Sequence, residues 1–171
     1  MKSKYLLAIC PPQPSIGIMD EMRGMMDKFL LMENALPPHI EVLPEFHWRD
    51  SEEYLLVHQI KSAVQNCYSQ VIEIVEIVCD KENELIYAKI EENEGLLTCM
   101  KGFFEKISPE PQFEPFSNIK IAHRDLEKGC VQKAWNRIKT KELHGGFLAD
   151  KITLFKHNGD LWESKYVFDL D

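Results

Sequence analysis

Apolar residues along the chain alternate between continuous or every-other spacing and helical spacing, and each change of period marks an element boundary. Tyr5 to Ile9 is an unbroken apolar run closed by Pro11-Pro12, which predicts a buried first strand. Pro14-Ser15 offers a helix cap. Ile18, Met22, Met25, Met26, Phe29 and Leu30 then recur on one helical face, a methionine-rich stripe suited to core packing. Asn34 to Pro38 forms a turn into a strand that opens at His39. Asp50 or Ser51 caps a second helix carrying Leu55, Val57, His58, Ile60, Lys61, Val64 and Tyr68. Val71 to Val78, with Glu73 and Glu76 interleaved, predicts a strand that turns at Asp80 to Asn83 into a second strand, Leu85 to Ile90.

A third helix over Glu94 to Ile107 places Leu96, Leu97, Met100, Phe103, Phe104 and Ile107 at helical spacing. Pro109 and Pro111 end it, and Ser108 to Ser117 reads as an exposed connection between two halves. A short strand from Asn118 follows, then a fourth helix from about Glu127 to Ile138. Asn158-Gly159, flanked by Ile152 to Phe155 and Leu161-Trp162, predicts a closing hairpin with φ > 0 at both turn positions. Each of the strands at His39 and Asn118 has a helix before it and another after it, so the halves echo each other. That plan is α+β with a duplication, and not a parallel doubly wound sheet.

With 171 residues, 44% of them hydrophobic, the chain can bury a full core as a single domain over residues 1–171. The 20 Lys+Arg against 28 Asp+Glu give a net charge of -8, which excludes a general electrostatic grip on nucleic acid. Any nucleotide must be held locally. The opening apolar stretch runs straight into Pro11-Pro12 and reads as a strand, not a signal peptide. No apolar run approaches the roughly 20 residues needed to cross a bilayer. Cys10, Cys67, Cys79, Cys99 and Cys130 are odd in number and scattered, with no C-x-x-C pair and no zinc-ligand spacing, so they read as reduced thiols of a cytoplasmic protein that binds no metal.

Candidate chemistry gathers in two short runs, Pro37-Pro38-His39-Ile40-Glu41-Val42 and Asn118-Ile119-Lys120-Ile121-Ala122-His123-Arg124-Asp125. Together with Tyr5 to Pro12, Pro44 to Trp48 and Ile152 to Gly159, in this order and spacing, they resemble the two-histidine (2H) phosphoesterases, and within them the 2'-5' RNA ligase-like proteins. The resemblance implies a two-lobed α+β fold of duplicated antiparallel sheets with flanking helices and a central cleft. It also implies a metal-free, cofactor-free mechanism in which one histidine is the general base, the other the general acid, and two hydroxyl residues hold the phosphate.

Carried onto this chain, His39 is the first family histidine and Glu41 stands at its hydroxyl position, while Asn118 stands at the second histidine position and Lys120 at the second hydroxyl position. Asparagine cannot exchange a proton near neutral pH, and a carboxylate in a phosphate seat repels the anion. Charge and the implied proximity of the hydroxyl positions predict a Glu41–Lys120 ion pair closing that seat. His123 is set aside on strand parity and read, with Arg124 and Asp125, as a turn, leaving Arg124 at the cleft rim. His47, Phe46 and Trp48, read as a loop after the first motif strand, are candidates for contacting a base. Two functional readings stay open: a protein with lost or altered catalysis that binds a nucleotide, an RNA end or another partner in its cleft, and an active 2',3'-cyclic phosphodiesterase or 2'-5' RNA ligase-like enzyme.

Overall fold

Eight strands, β1 (Lys2–Ile9), β2 (His39–Arg49), β3 (Gln70–Asp80), β4 (Leu85–Ile90), β5 (Ile119–Ala122), β6 (Gly145–Ala149), β7 (Lys151–His157) and β8 (Trp162–Asp169), pair in the order β6-β3-β4-β5-β2-β1-β7-β8. Every pairing is antiparallel. This computed structural model describes residues 1–107 and 114–171. The described residues hold four α-helices, α1 (Ser15–Met25), α2 (Glu53–Val64), α3 (Glu94–Ile107) and α4 (Val131–Ile138). Of the connection predicted at Ser108 to Ser117, residues 108–113 lie outside the described residues.

The two halves of the duplicated plan, β2-β1-β7-β8 and β5-β4-β3-β6, form one continuous sheet. Their seam is short: β2 meets β5 only at His39↔Lys120 and Ile40↔Ile119. At the far ends, Asp150 alone links β6 to β7, and its carbonyl accepts the Leu170 N–H at 2.8 Å. The motif strands are therefore central neighbours, and the sheet ends are tied together behind them.

One main core fills the helix-bearing face. Tyr5, Leu7 and Ile9 of β1 point into it, as do Met19, Met22 and Met26 around α1, Leu56 and Ile60 of α2, and Met100 and Phe103 of α3. Leu6 and Ala8, on the opposite face of β1, join Leu36 and Phe155 in a second, smaller apolar cluster. The β1 run is apolar throughout because both its faces are covered.

Several boundaries differ from expectation, each for a local reason. On α1 the buried line is Met19, Met22 and Met26, while Ile18 and Met25 are exposed. On α2, Leu56, Ile60 and Ala63 are buried and Leu55 is exposed. Neither helix carries a side-chain cap; Asp50 instead accepts the Ser3 hydroxyl at 2.6 Å. Helix α4 starts at Val131, after Gly129 at φ 77° has turned the chain. At the closing hairpin only Gly159 has positive φ; Asn158 Oδ1 accepts the Asp160 and Leu161 N–H groups, making a longer loop than a two-residue turn.

The expectation of reduced thiols is corrected for two cysteines. Cys67, just beyond α2, and Cys99 in α3 form a disulfide across a Cα–Cα distance of 5.3 Å, while Cys10, Cys79 and Cys130 are free. The partners are 32 residues apart and meet only because α2 and α3 lie side by side, so no local spacing announces them. No helix among the described residues is long and apolar enough to cross a membrane.

Candidate functional site

Strand β2 leaves the Pro37-Pro38 turn with Ile40 and Val42 in the main core, so His39 and Glu41 take the other face. Strand β5 does the same with Ile119 and Ile121 in the core and Lys120 opposite. Antiparallel pairing sets His39 directly across the seam from Lys120. Four side chains that would ordinarily seek solvent, His39, Glu41, Lys120 and Asp125, are all less than 10% exposed here.

Glu41 is the hub. Lys120 Nζ lies 3.1 Å from its Oε1, and Arg124 Nη2 lies 3.5 Å from its Oε2. Arg124 Nη1 reaches Glu45 Oε2 at 3.3 Å and so spans two carboxylates. His39 Nε2, 3.9 Å from Glu41 Oε2, is an electrostatic neighbour and not a hydrogen-bond partner. Burial by itself would raise the Glu41 pKa; the His39 imidazole, Lys120 and Arg124 overcome it and hold the carboxyl at about 2. Lys120 Nζ also sits 5.6 Å from the centre of the Phe116 ring, which packs edge-on to Tyr87.

The orientation of His39 follows from its other nitrogen. Nδ1 is 2.8 Å from the Pro37 carbonyl, which can only accept, so Nδ1 carries the proton. Nε2 then points into the cavity with no hydrogen-bond partner among the described residues. Asn118 is occupied elsewhere: its Oδ1 accepts the Ile90 N–H at 3.0 Å at the end of β4, and its side chain does not line the cavity.

The cavity measures about 20 Å³, room for little more than one water, and its wall includes His39, Glu41, Lys120, Arg124, Arg23 and Leu36. Arg23 on α1 donates to the Ile121 carbonyl at 2.7 Å and pairs with Asp125 at 2.6 Å. His123 also lines the cavity, because β5 ends at Ala122 and strand parity no longer governs the turn that follows. Burial, with Lys120 and Arg124 nearby, holds the His123 pKa below the ordinary histidine value. Among the described residues no group of three or more His, Cys, Asp or Glu could hold a metal ion.

The chain has the fold of E. coli LigT. The apo LigT structure superposes with a TM-score of 0.69 over 99% of this chain and 98% of that one, at 11% identity. LigT complexed with 3'-AMP matches with a TM-score of 0.66 and 11% identity, covering 99% of both chains. TT0787 of Thermus thermophilus matches with a TM-score of 0.64 and 13% identity over 98% of this chain and 97% of that chain. Other LigT structures hold NADP+, ATP and phosphate. By sequence alone, no protein-family model and no curated protein matches.

Within this LigT-like fold, the structure separates the residues singled out from the sequence into two groups. His39, Glu41, Lys120 and Arg124 come together at the cavity. His47, Phe46 and Trp48 do not, because no loop follows the motif: β2 runs on to Arg49, paired with β1 from Arg49↔Lys2 to Phe46↔Tyr5. A bulge opposite Leu6 absorbs Pro44 and keeps the strand going. Phe46 is buried and stacks on Tyr5 at 5.9 Å, Trp48 donates its indole N–H to the Glu52 carbonyl at 2.9 Å, and His47 is exposed. Arg23, Leu36 and His123 line the cavity without a sequence-based expectation that they would. Arg23 interrupts the methionine stripe of α1 as a lone cation, the one local signal that could have marked it.

Proposed function

We propose that the chain is a LigT-fold protein that has lost phosphodiester chemistry and retains its cleft for binding, with the nucleoside end of a nucleotide or RNA as ligand. The observation that carries this reading is the Glu41 carboxylate lodged between the motif strands, 3.1 Å from Lys120 and 3.5 Å from Arg124. A built-in anion already takes the cations that an incoming phosphate would need, and it repels a second one. The general acid that in-line cleavage requires opposite His39 is missing, because Asn118 neither titrates near neutrality nor faces the cavity.

What the seat can accept is one neutral polar group. His39 Nε2, without a hydrogen-bond partner among the described residues, faces about 20 Å³ of space, enough for one hydroxyl or one water. A sugar hydroxyl of a nucleoside lying at the cleft mouth has that chemistry. Nucleotides bound to E. coli LigT support the ligand class. The second reading, an active cyclic phosphodiesterase or 2'-5' RNA ligase-like enzyme, draws on one observation: a second imidazole, His123, lines the same cavity.

The test is turnover of nucleoside 2',3'-cyclic phosphates and of a 2'-5'-linked dinucleotide by the wild type and His39→Ala, beside titrations with adenosine and 3'-AMP. We expect no turnover, and adenosine bound more tightly than 3'-AMP in a His39-dependent way. Turnover by the wild type that disappears in His39→Ala overturns the proposal, as does tighter binding of 3'-AMP than of adenosine.

A further inference from the structure

The Cys67–Cys99 disulfide ties the segment after α2 to α3 and lies in the wall of an open groove of about 340 Å³ that shares no lining residue with the cavity at His39. Both cysteines are largely buried, at 4% and 6% exposure, so the groove is the approach to their sulfurs. Gly102 stands one helical turn beyond Cys99 on α3, and a Cβ built there meets nothing within 4 Å. The groove is therefore open at this point of α3, one turn from Cys99.

The groove has a charge preference as well as an opening. Lys101, Lys106 and Glu105 line it, a local excess of cation on a chain whose net charge is -8. Among the described residues neither lysine has an acid within ion-pair distance; Lys106 Nζ donates only to the Ser62 carbonyl, at 3.2 Å. Ammonium groups beside a disulfide attract an anionic thiol and stabilise the thiolate that leaves.

We propose that this groove is a site of thiol–disulfide exchange with a small anionic thiol peptide. The peptide thiolate attacks Cys99 Sγ, in the groove wall one helical turn from Gly102; a new S–S bond forms there. The electron pair of the broken bond departs on Cys67 Sγ, which leaves as a thiolate near the lysines. A second peptide thiolate attacks the peptide sulfur of the adduct, releases Cys99 as a thiolate and leaves as the oxidised peptide dimer. Two thiols are oxidised, the protein disulfide gains two electrons, and the two thiol protons end on Cys67 and Cys99. In a cytoplasmic setting, low-molecular-weight thiols of this kind are the prevailing reductant. The step frees α3 from α2, leaving α3 held by its buried face of Leu96, Met100, Phe103 and Ile107.

The test measures exchange on the folded, disulfide-bonded protein with reduced glutathione, 2-mercaptoethanol and cysteamine, following the adduct by intact mass. Rates are normalised to those of the same thiols on a free cystine peptide. We expect an adduct of one glutathionyl group and a normalised rate for the anionic thiol about threefold or more above the neutral one, with the cationic thiol slowest. Lys101→Gln/Lys106→Gln should remove that order, as should raised ionic strength. Gly102→Gln, at a position where a Cβ meets nothing within 4 Å, should slow all three thiols without unfolding the protein. Exchange only after denaturation, equal normalised rates for the three thiols, or rates indifferent to the lysine and glycine variants would overturn the proposal.

Discussion

Replacing Glu41 by glutamine preserves the shape of the buried hub and deletes its charge, and the size of the effect can be worked out two ways. The carboxyl is held at about 2 against an ordinary 4.5. By linkage, that depression makes the ionised form worth about 3 kcal/mol more in the folded chain than the neutral form. Independently, removing one partner from a buried ion pair costs about 3–5 kcal/mol, because the other charge is left uncompensated. Here that charge is Lys120, only 9% exposed and held by Glu41 at 3.1 Å. A chain of this size loses about 2–4 °C of Tm per kcal/mol, so Glu41→Gln should unfold about 10 °C below the wild type.

The same substitution should create an anion site at the mouth of the cavity, whose own volume of about 20 Å³ has no room for a phosphate. With the built-in carboxylate neutralised, Lys120 and Arg124 face the cavity with no acid between them. At free phosphate a hundred times the dissociation constant, binding would restore about 2.7 kcal/mol. Differential scanning calorimetry of the wild type and Glu41→Gln, in phosphate and in chloride at matched ionic strength, reads both effects. We expect a large Tm deficit for the variant in chloride, substantially recovered in phosphate, and no phosphate-specific shift for the wild type. A variant as stable as the wild type in chloride, or a wild type stabilised by phosphate as much as the variant, would refute the reasoning.

Because the Glu41 pKa is depressed, its stabilisation is present above the unfolded value of about 4.5 and is lost as pH falls toward about 2. Urea unfolding across that window should show a fall of about 3 kcal/mol that is absent from Glu41→Gln. The double variant Glu41→Leu/Lys120→Met should be closer to wild-type stability than either single variant, since replacing both members of a buried pair spares the uncompensated charge; a double-mutant cycle by chemical denaturation measures this. Cys67→Ser/Cys99→Ser should lose about 4 kcal/mol in the same assay, the loop-closure entropy for a separation of 32 residues.

How much of this was legible in the sequence depends on whether the signal was local. The order of strands and helices was, because periodicity is a property of neighbouring residues. The Glu41–Lys120 pair was legible for a different reason: opposite charges at two positions that a resemblance places side by side leave few other arrangements. The disulfide was not, since Cys67 and Cys99 are brought together only by the packing of α2 against α3. His47, Phe46 and Trp48 do not form the expected loop, because a bulge at Pro44 carries β2 on to Arg49, and a bulge has no signature in the apolar pattern. His123 was dismissed by a parity that stops where β5 stops, at Ala122. Arg23 reaches the cavity from α1 and Leu36 from the turn just before the first motif, and only the tertiary fold shows it.

Asn118 has a structural duty that any attempt to install an imidazole at its position must meet. Its side chain accepts the Ile90 N–H, which lies at the end of β4 where the ladder to β5 has run out. Ile90 is only 6% exposed, so its N–H depends on a protein partner. Asn118 therefore serves as an end-cap for a strand, and Asn118→His removes that bond as it introduces an imidazole. Changing Glu41 and Lys120 to threonine removes the buried ion pair but does nothing for Ile90. The triple variant Glu41→Thr/Lys120→Thr/Asn118→His should accordingly be less stable than Glu41→Thr/Lys120→Thr by about 1–3 kcal/mol, the cost of a buried N–H left unsatisfied. Equal stability of the two variants in urea would mean that the Asn118 bond carries no weight.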